Sequence, residues 1–225
     1  LVMGMLNFTS IVLFPTLLHD LRGYPDNAIA TLIAARGMGN WAAFLFIVQL
    51  TRVAPRFAIV CGMGIQAAAG FWMAQWNINL TESDVFWGNF LLGLGQSISF
   101  TPMTVMAFST LPPRQVTEGS AVFTLMRNFG SSLFISVAVL VVSRSTASNY
   151  SRMTEYITPN NKTLTMPGLP SPWSLDGTAS LQTLSNEILR QAAMIGYLNA
   201  FYLMAFAALA AMPLAAFMRG VKRDP

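Results

Sequence analysis

VFWGNFLLGLGQSISFTPMTVMAFSTL, residues 85–111, followed by PPRQVTEGSAVFTLMRNFGSS, residues 112–132, decides how this chain folds. Val85 to Leu111 holds no ionisable side chain, a run longer than the roughly 20 apolar residues that cross a hydrocarbon core of about 30 Å. Pro112 and Pro113 lack helix N–H donors and bias their predecessors out of the α region, so the helix ends there in a tight basic loop carrying Arg114. After Glu118 the chain is apolar again but carries Arg127 and Asn128. Such side chains need a partner or water, so this second helix turns them to a bundle interior or a cavity rather than to lipid.

Composition points the same way. Apolar residues make up 54% and charged residues 10% of the chain, against about 25% charged in an average soluble domain. Mean hydropathy is +0.52. This is the composition of an integral membrane protein, all-α by the logic of an uncompensated backbone in lipid. The net charge of +4 comes mainly from arginines near the ends of apolar runs, which bears on membrane orientation and not on nucleic acid. The one cysteine, Cys61, lies inside an apolar run and builds neither a disulfide framework nor a thiol metal site. Leu1 opens directly in an apolar run without the basic start and small-residue cleavage site of a signal peptide, so the chain reads as the later part of a longer protein.

Taken in order, the spans are expected at about 1–18, 27–50, 57–76, 85–111, 117–143 and 195–218. Asp26 is placed to cap the second, and Gly37 and Gly39 leave room there for close helix contact. Trp72 and Trp76 suit an interfacial belt at the end of the third. Residues 144–194 form the long hydrophilic segment, rich in Ser, Thr, Asn and Pro and expected to be mostly irregular. Its last part, about 180–193, spaces Leu181, Leu184 and Ile188 on one apolar face and predicts a short amphipathic helix. Six spans place both ends of the chain on one side. Arg52, Arg56, Arg114, Arg219, Lys222 and Arg223 gather there, so that side is expected to be cytoplasmic.

Candidate chemistry is sparse. The only histidine, His19, sits at the edge of span one, which argues against serine–histidine hydrolysis inside the membrane. The spans hold no Asp or Glu away from their ends, so no metal site and no cofactor is expected, and Gly93-Leu94-Gly95 follows no strand and reads as packing. The sequence therefore argues against an enzyme. Arg36 and Arg127 remain, each about nine or ten residues into its helix and so near mid-depth. Two readings stay open: each ties helices together through backbone carbonyls, or each sets the potential of a polar pathway for an anionic group or for a carboxylate supplied elsewhere.

The order Pro15-x3-His19, Gly23-Tyr24, Arg36-Gly37-x-Gly39, Gly93-Leu94-Gly95, Ser109-Thr110-Leu111-Pro112-Pro113 and Arg127-Asn128-x-Gly130-x-Ser132 resembles the C-terminal half of the fourteen-span drug:proton antiporters of the major facilitator superfamily, the EmrB/QacA type. The resemblance covers essentially the whole chain. It implies a six-helix bundle that packs against an N-terminal bundle around a central cavity and exports hydrophobic or amphiphilic compounds in exchange for protons. It implies an inner-membrane location, a missing N-terminal half as partner, and a periplasmic adaptor protein as a further candidate partner. Arg127 and Asn128 match a family motif, and Gln96, Ser99 and Thr101 are cavity-lining candidates by position. Two departures stand out: His19 where relatives usually carry glutamine, and the absence from this sequence of the acidic coupling residues of the N-terminal half. A competing expectation is a six-span structural or channel-like module that works as an oligomer without coupled transport.

Overall fold

Each apolar run forms one long helix, because a backbone in lipid finds no water and must satisfy its own N–H and C=O groups. The computed structural model describes residues 2–109, 111–158 and 178–216. Its helices are α1 (Val2–Arg22), α2 (Asp26–Val53), α3 (Pro55–Met73), α4 (Glu82–Phe108), α5 (Val116–Glu155) and α6 (Thr178–Ala216). All six are long and apolar enough to span a bilayer, and the described residues contain no strand. The chain is an all-α, multi-pass membrane bundle.

The helix ends show how short polar signals cut this apolar chain. Gly23, at φ +63, closes α1 with its N–H on the His19 carbonyl at 3.0 Å, a left-handed cap that glycine adopts without strain. Asp26 does not cap α2. Pro25 takes the cap position with its fixed φ of −69 and leaves Asp26 in the first turn, where its charge still faces the positive end of the helix. α4 opens with a capping box: the Asp84 N–H bonds Thr81 Oγ1 at 3.3 Å and the Thr81 N–H bonds Asp84 Oδ2 at 2.9 Å. α4 stops at Phe108, short of the expected 111, and the Pro-Pro segment that follows carries one 3₁₀ turn, Pro113–Gln115, before α5.

The long hydrophilic segment is more helical than its composition implies. α5 continues to Glu155 and α6 begins at Thr178, so the expected amphipathic helix and span six are one element. At 40 and 39 residues, each is roughly twice as long as a bilayer core is thick. Pairing across the hairpin extends both helices: Tyr150 and Ser185 hydroxyls bond at 2.9 Å, and Asn199 Nδ2 donates to Ser145 Oγ at 2.7 Å. The remainder of the expected loop, 159–177, lies outside the described residues, as does the basic tail from 217.

The packing has a reciprocal order. α4, the first helix of the second triplet, packs mainly on α2 and α3 of the first triplet. α1, the first helix of the first triplet, packs mainly on α5 and α6 of the second. Since each triplet crosses the bilayer three times, the two run through it in opposite senses. This is the arrangement of an inverted repeat.

The largest core cluster draws on all six helices and includes Phe14, whose ring meets Trp76 at 6.1 Å and Phe201 at 5.6 Å. Trp76 therefore belongs to the core and not to an interfacial belt; it is only 7% exposed because the turn after α3 folds it under α1. Gly93-Leu94-Gly95 is a packing element on two sides. Gly93 lies against the Arg36 carbonyl of α2, and a Cβ on Gly95 would come within 2.8 Å of the Gly62 carbonyl of α3.

Candidate functional site

Two polar sites interrupt this apolar interior, each around an arginine on the second helix of its triplet. In the first, Arg36 of α2 is 7% exposed and its Nη2 donates to Ser10 Oγ of α1. Its Nε and Nη1 are buried without a hydrogen-bond partner, and so is Asn7 Oδ1, one turn from Ser10. In the second, Arg127 of α5 is half-buried, with its guanidinium carbon 5.8 Å from the Phe8 ring centroid and its Nε buried and unpartnered. Gln96 Oε1 of α4 is another buried acceptor without a partner. No ion pair joins either arginine to a carboxylate among the described residues.

The stretches of sequence around the two sites match. Gly4-x-x-Asn7-x-x-Ser10 on α1 repeats as Gly93-x-x-Gln96-x-x-Ser99 on α4, and Arg36-x-x-Gly39 on α2 repeats as Arg127-x-x-Gly130 on α5. The backbone contacts repeat too. Gly93 lies against the Arg36 carbonyl, and Gly4 lies against the Arg127 carbonyl, at separations that admit no side chain. Each arginine is thus seated on a glycine of the opposite triplet. Asn7 and Ser10 were not among the residues that motif spacing singled out, although the duplicated spacing was there to find.

The other candidate residues separate by location. Gln96 and Thr101 line a cleft of about 390 Å³ between α2 and α4, with Asn40 and Ser97 beside them and Trp41, Phe44 and Phe100 as aromatic walls. Ser97 Oγ donates to Asn40 Oδ1 at 3.0 Å across that cleft. Ser99 does not line it. It is fully buried, accepting from Gln66 Nε2 at 3.0 Å and donating to the Gly95 carbonyl at 2.8 Å, because its turn of α4 faces α3. Asn128 points away from Arg127 and lies on an exposed stripe of α5 with Thr117, Ser120, Thr124 and Ser132. Hydroxyls and an amide at that depth belong against protein or water, not lipid.

No family model matches the chain. Among curated proteins it is 24% identical to the colistin resistance protein EmrB of Acinetobacter baumannii, over 89% of this chain and 43% of that protein. It is 26% identical to the multidrug export protein EmrB of Haemophilus influenzae, over 87% of this chain and 39% of that one. The chain is similar to EmrB-type export proteins. A further relative is the fatty acid resistance protein FarB of Neisseria gonorrhoeae, 25% identical over 83% of this chain and 37% of its own length. The chain spans about two fifths of the length of these relatives.

Proposed function

We propose that this chain is one six-helix half of a larger inner-membrane exporter that moves hydrophobic or amphiphilic compounds outward by proton-coupled alternating access. One observation carries the reading. Two reciprocally packed triplets each hold an arginine with a buried, unpartnered donor, in a chain with relatives named for colistin resistance and multidrug export. Buried cationic groups with unpartnered donors are costly in a membrane bundle and are kept where a pathway uses them.

In this reading the coupling carboxylate comes from the partner half, because the spans of this chain hold no acidic residue away from their ends. The Gln96–Thr101 cleft contacts substrate, its aromatic walls taking the apolar body and its amides and hydroxyls orienting a polar group. The loops with Arg52, Arg56 and Arg114 face the cytoplasm. A periplasmic adaptor would meet the opposite side, where the α5–α6 hairpin ends.

The test is efflux of ethidium from cells expressing the native full-length protein, with and without a protonophore. Export that collapses with the protonophore supports the reading, and ethidium retention equal to that of cells lacking the protein sinks it. Arg127→Ala is expected to abolish export while the protein still inserts, as judged by its level in washed membranes. The native mass separates the six-span alternative: a band at about twice 24.5 kDa or more supports a half-transporter, and one near 24.5 kDa supports a free-standing module.

A further inference from the structure

Between Asp26 and Glu82 the chain carries no acidic residue, and within that stretch α2 turns into α3 through Thr51-Arg52-Val53-Ala54-Pro55-Arg56-Phe57. The turn mixes two arginines with two bulky apolar side chains. All four are exposed, Val53 by 79% and Phe57 by 61%. This pattern belongs where hydrocarbon gives way to headgroups, since arginine stems lie along apolar surface while their charges reach the polar layer. Along the last two turns of α2 runs a shallow groove of about 340 Å³ lined by Phe46, Gln49, Leu50 and Val53. We propose that this corner of the bundle binds one anionic phospholipid, its phosphate held by Arg52 and Arg56 and one acyl chain laid in the groove. The inference stands apart from the transport reading, because it needs only the membrane bundle.

Charge, shape and depth agree on that occupant. Asp26 and Glu82 open α2 and α4 at the opposite end of the bundle, so no carboxylate of α2 or α3 neutralises the arginines of the turn. Glu118, the acidic residue at the same end among the described residues, stands in the first turn of α5, a helix that packs mainly on α6 and α1. Pro55 opens α3 without a side-chain cap, so the positive end of that helix faces the same turn and adds to the field. The groove residues recur at i, i+3, i+4 and i+7, one stripe of about 10 Å along the axis. Helix contacts in membranes favour small residues, as where Gly39 of α2 meets the Phe90 carbonyl of α4. Phe46, Leu50 and Val53 are bulky instead, which suits a flexible acyl chain better than a second helix. Phe46 lies about 9 Å along the axis from Arg52, so a chain in the groove and a phosphate at the turn fit one molecule.

The experiment is native mass spectrometry of the full-length protein in detergent, titrated with phosphatidylglycerol or with phosphatidylcholine of the same acyl length. The protein is expected to retain one phosphatidylglycerol more tightly than phosphatidylcholine. Arg52→Gln should cut that preference by about fivefold, the weight of one cation at an anionic membrane surface, and Arg52→Gln with Arg56→Gln should abolish it. Arg52→Lys with Arg56→Lys keeps both charges and should keep most of the preference, which separates lost binding from lost folding. Phe46→Ala with Leu50→Ala should weaken both lipids alike, because it removes apolar wall and no charge. Equal retention of the two lipids, the result expected if another protein segment covers the groove, overturns the proposal. So does a preference that survives Arg52→Gln with Arg56→Gln. Displacement of the lipid by millimolar inorganic phosphate overturns it as well, since the arginines would then hold free phosphate and the groove would take no part.

Discussion

Arg36 and Arg127 occupy equivalent places in the two triplets and have different surroundings. Arg36 is closed in between α1, α2 and α4 with Ser10 as its one side-chain partner. Arg127 is half-open against the Phe8 ring. Backbone seating is shared, since each arginine carbonyl rests on a glycine of the other triplet. What differs is the side chain. The duplicated backbone contacts therefore form a shared frame, and the two guanidinium groups are where the copies differ.

The largest effect tests the frame. Gly93→Leu and Gly4→Leu each drive a side chain into a carbonyl of the facing helix, and each is expected to cost at least about 3 kcal/mol. Thermal unfolding in detergent should register the two losses as similar. A tolerated leucine at one site would break the equivalence of the triplets.

An effect of intermediate size tests the difference. Arg36 is a buried charge with two unpartnered donors, so Arg36→Met should leave the bundle more stable by about 1–2 kcal/mol while export is lost. Arg127→Met, at a half-open site, should stay within about 0.5 kcal/mol in the same assay. Equal shifts would mean that the two environments are alike in solution. The smallest effect sets the floor for both. Tyr150→Phe removes one hydroxyl bond in the α5–α6 extension, away from either cluster, and should cost about 0.5–1 kcal/mol.

The bundle itself was legible because lipid imposes one strong rule, and runs such as 85–111 obey it without ambiguity. The helical extensions were not. Residues 144–155 are polar and read as loop, yet outside the membrane a helix needs only a partner, which Ser185 and Asn199 supply from α6. Trp76 reads as an interfacial anchor from its place after a span; only the packing of Phe14 and Phe201 around it makes it core. Ser99 and Thr101 read as neighbours on one polar stripe. Two residues along a helix turn them by about 200°, so one meets Gln66 of α3 and the other opens on the α2–α4 cleft.

By itself the sequence determined that this chain has six helices long and apolar enough to cross a membrane, that a Pro-Pro turn separates the fourth from the fifth, and that the charges well inside its spans are basic, since these follow from side-chain solvation and proline geometry acting locally. It also carried the duplicated spacings around Gly4 and Gly93. Only the tertiary structure decided that those glycines seat the arginines of the opposite triplet, and that one guanidinium meets a serine hydroxyl while the other lies over a phenylalanine ring. Those outcomes depend on which helices become neighbours, and close packing between distant segments sets that, not any property of a single span.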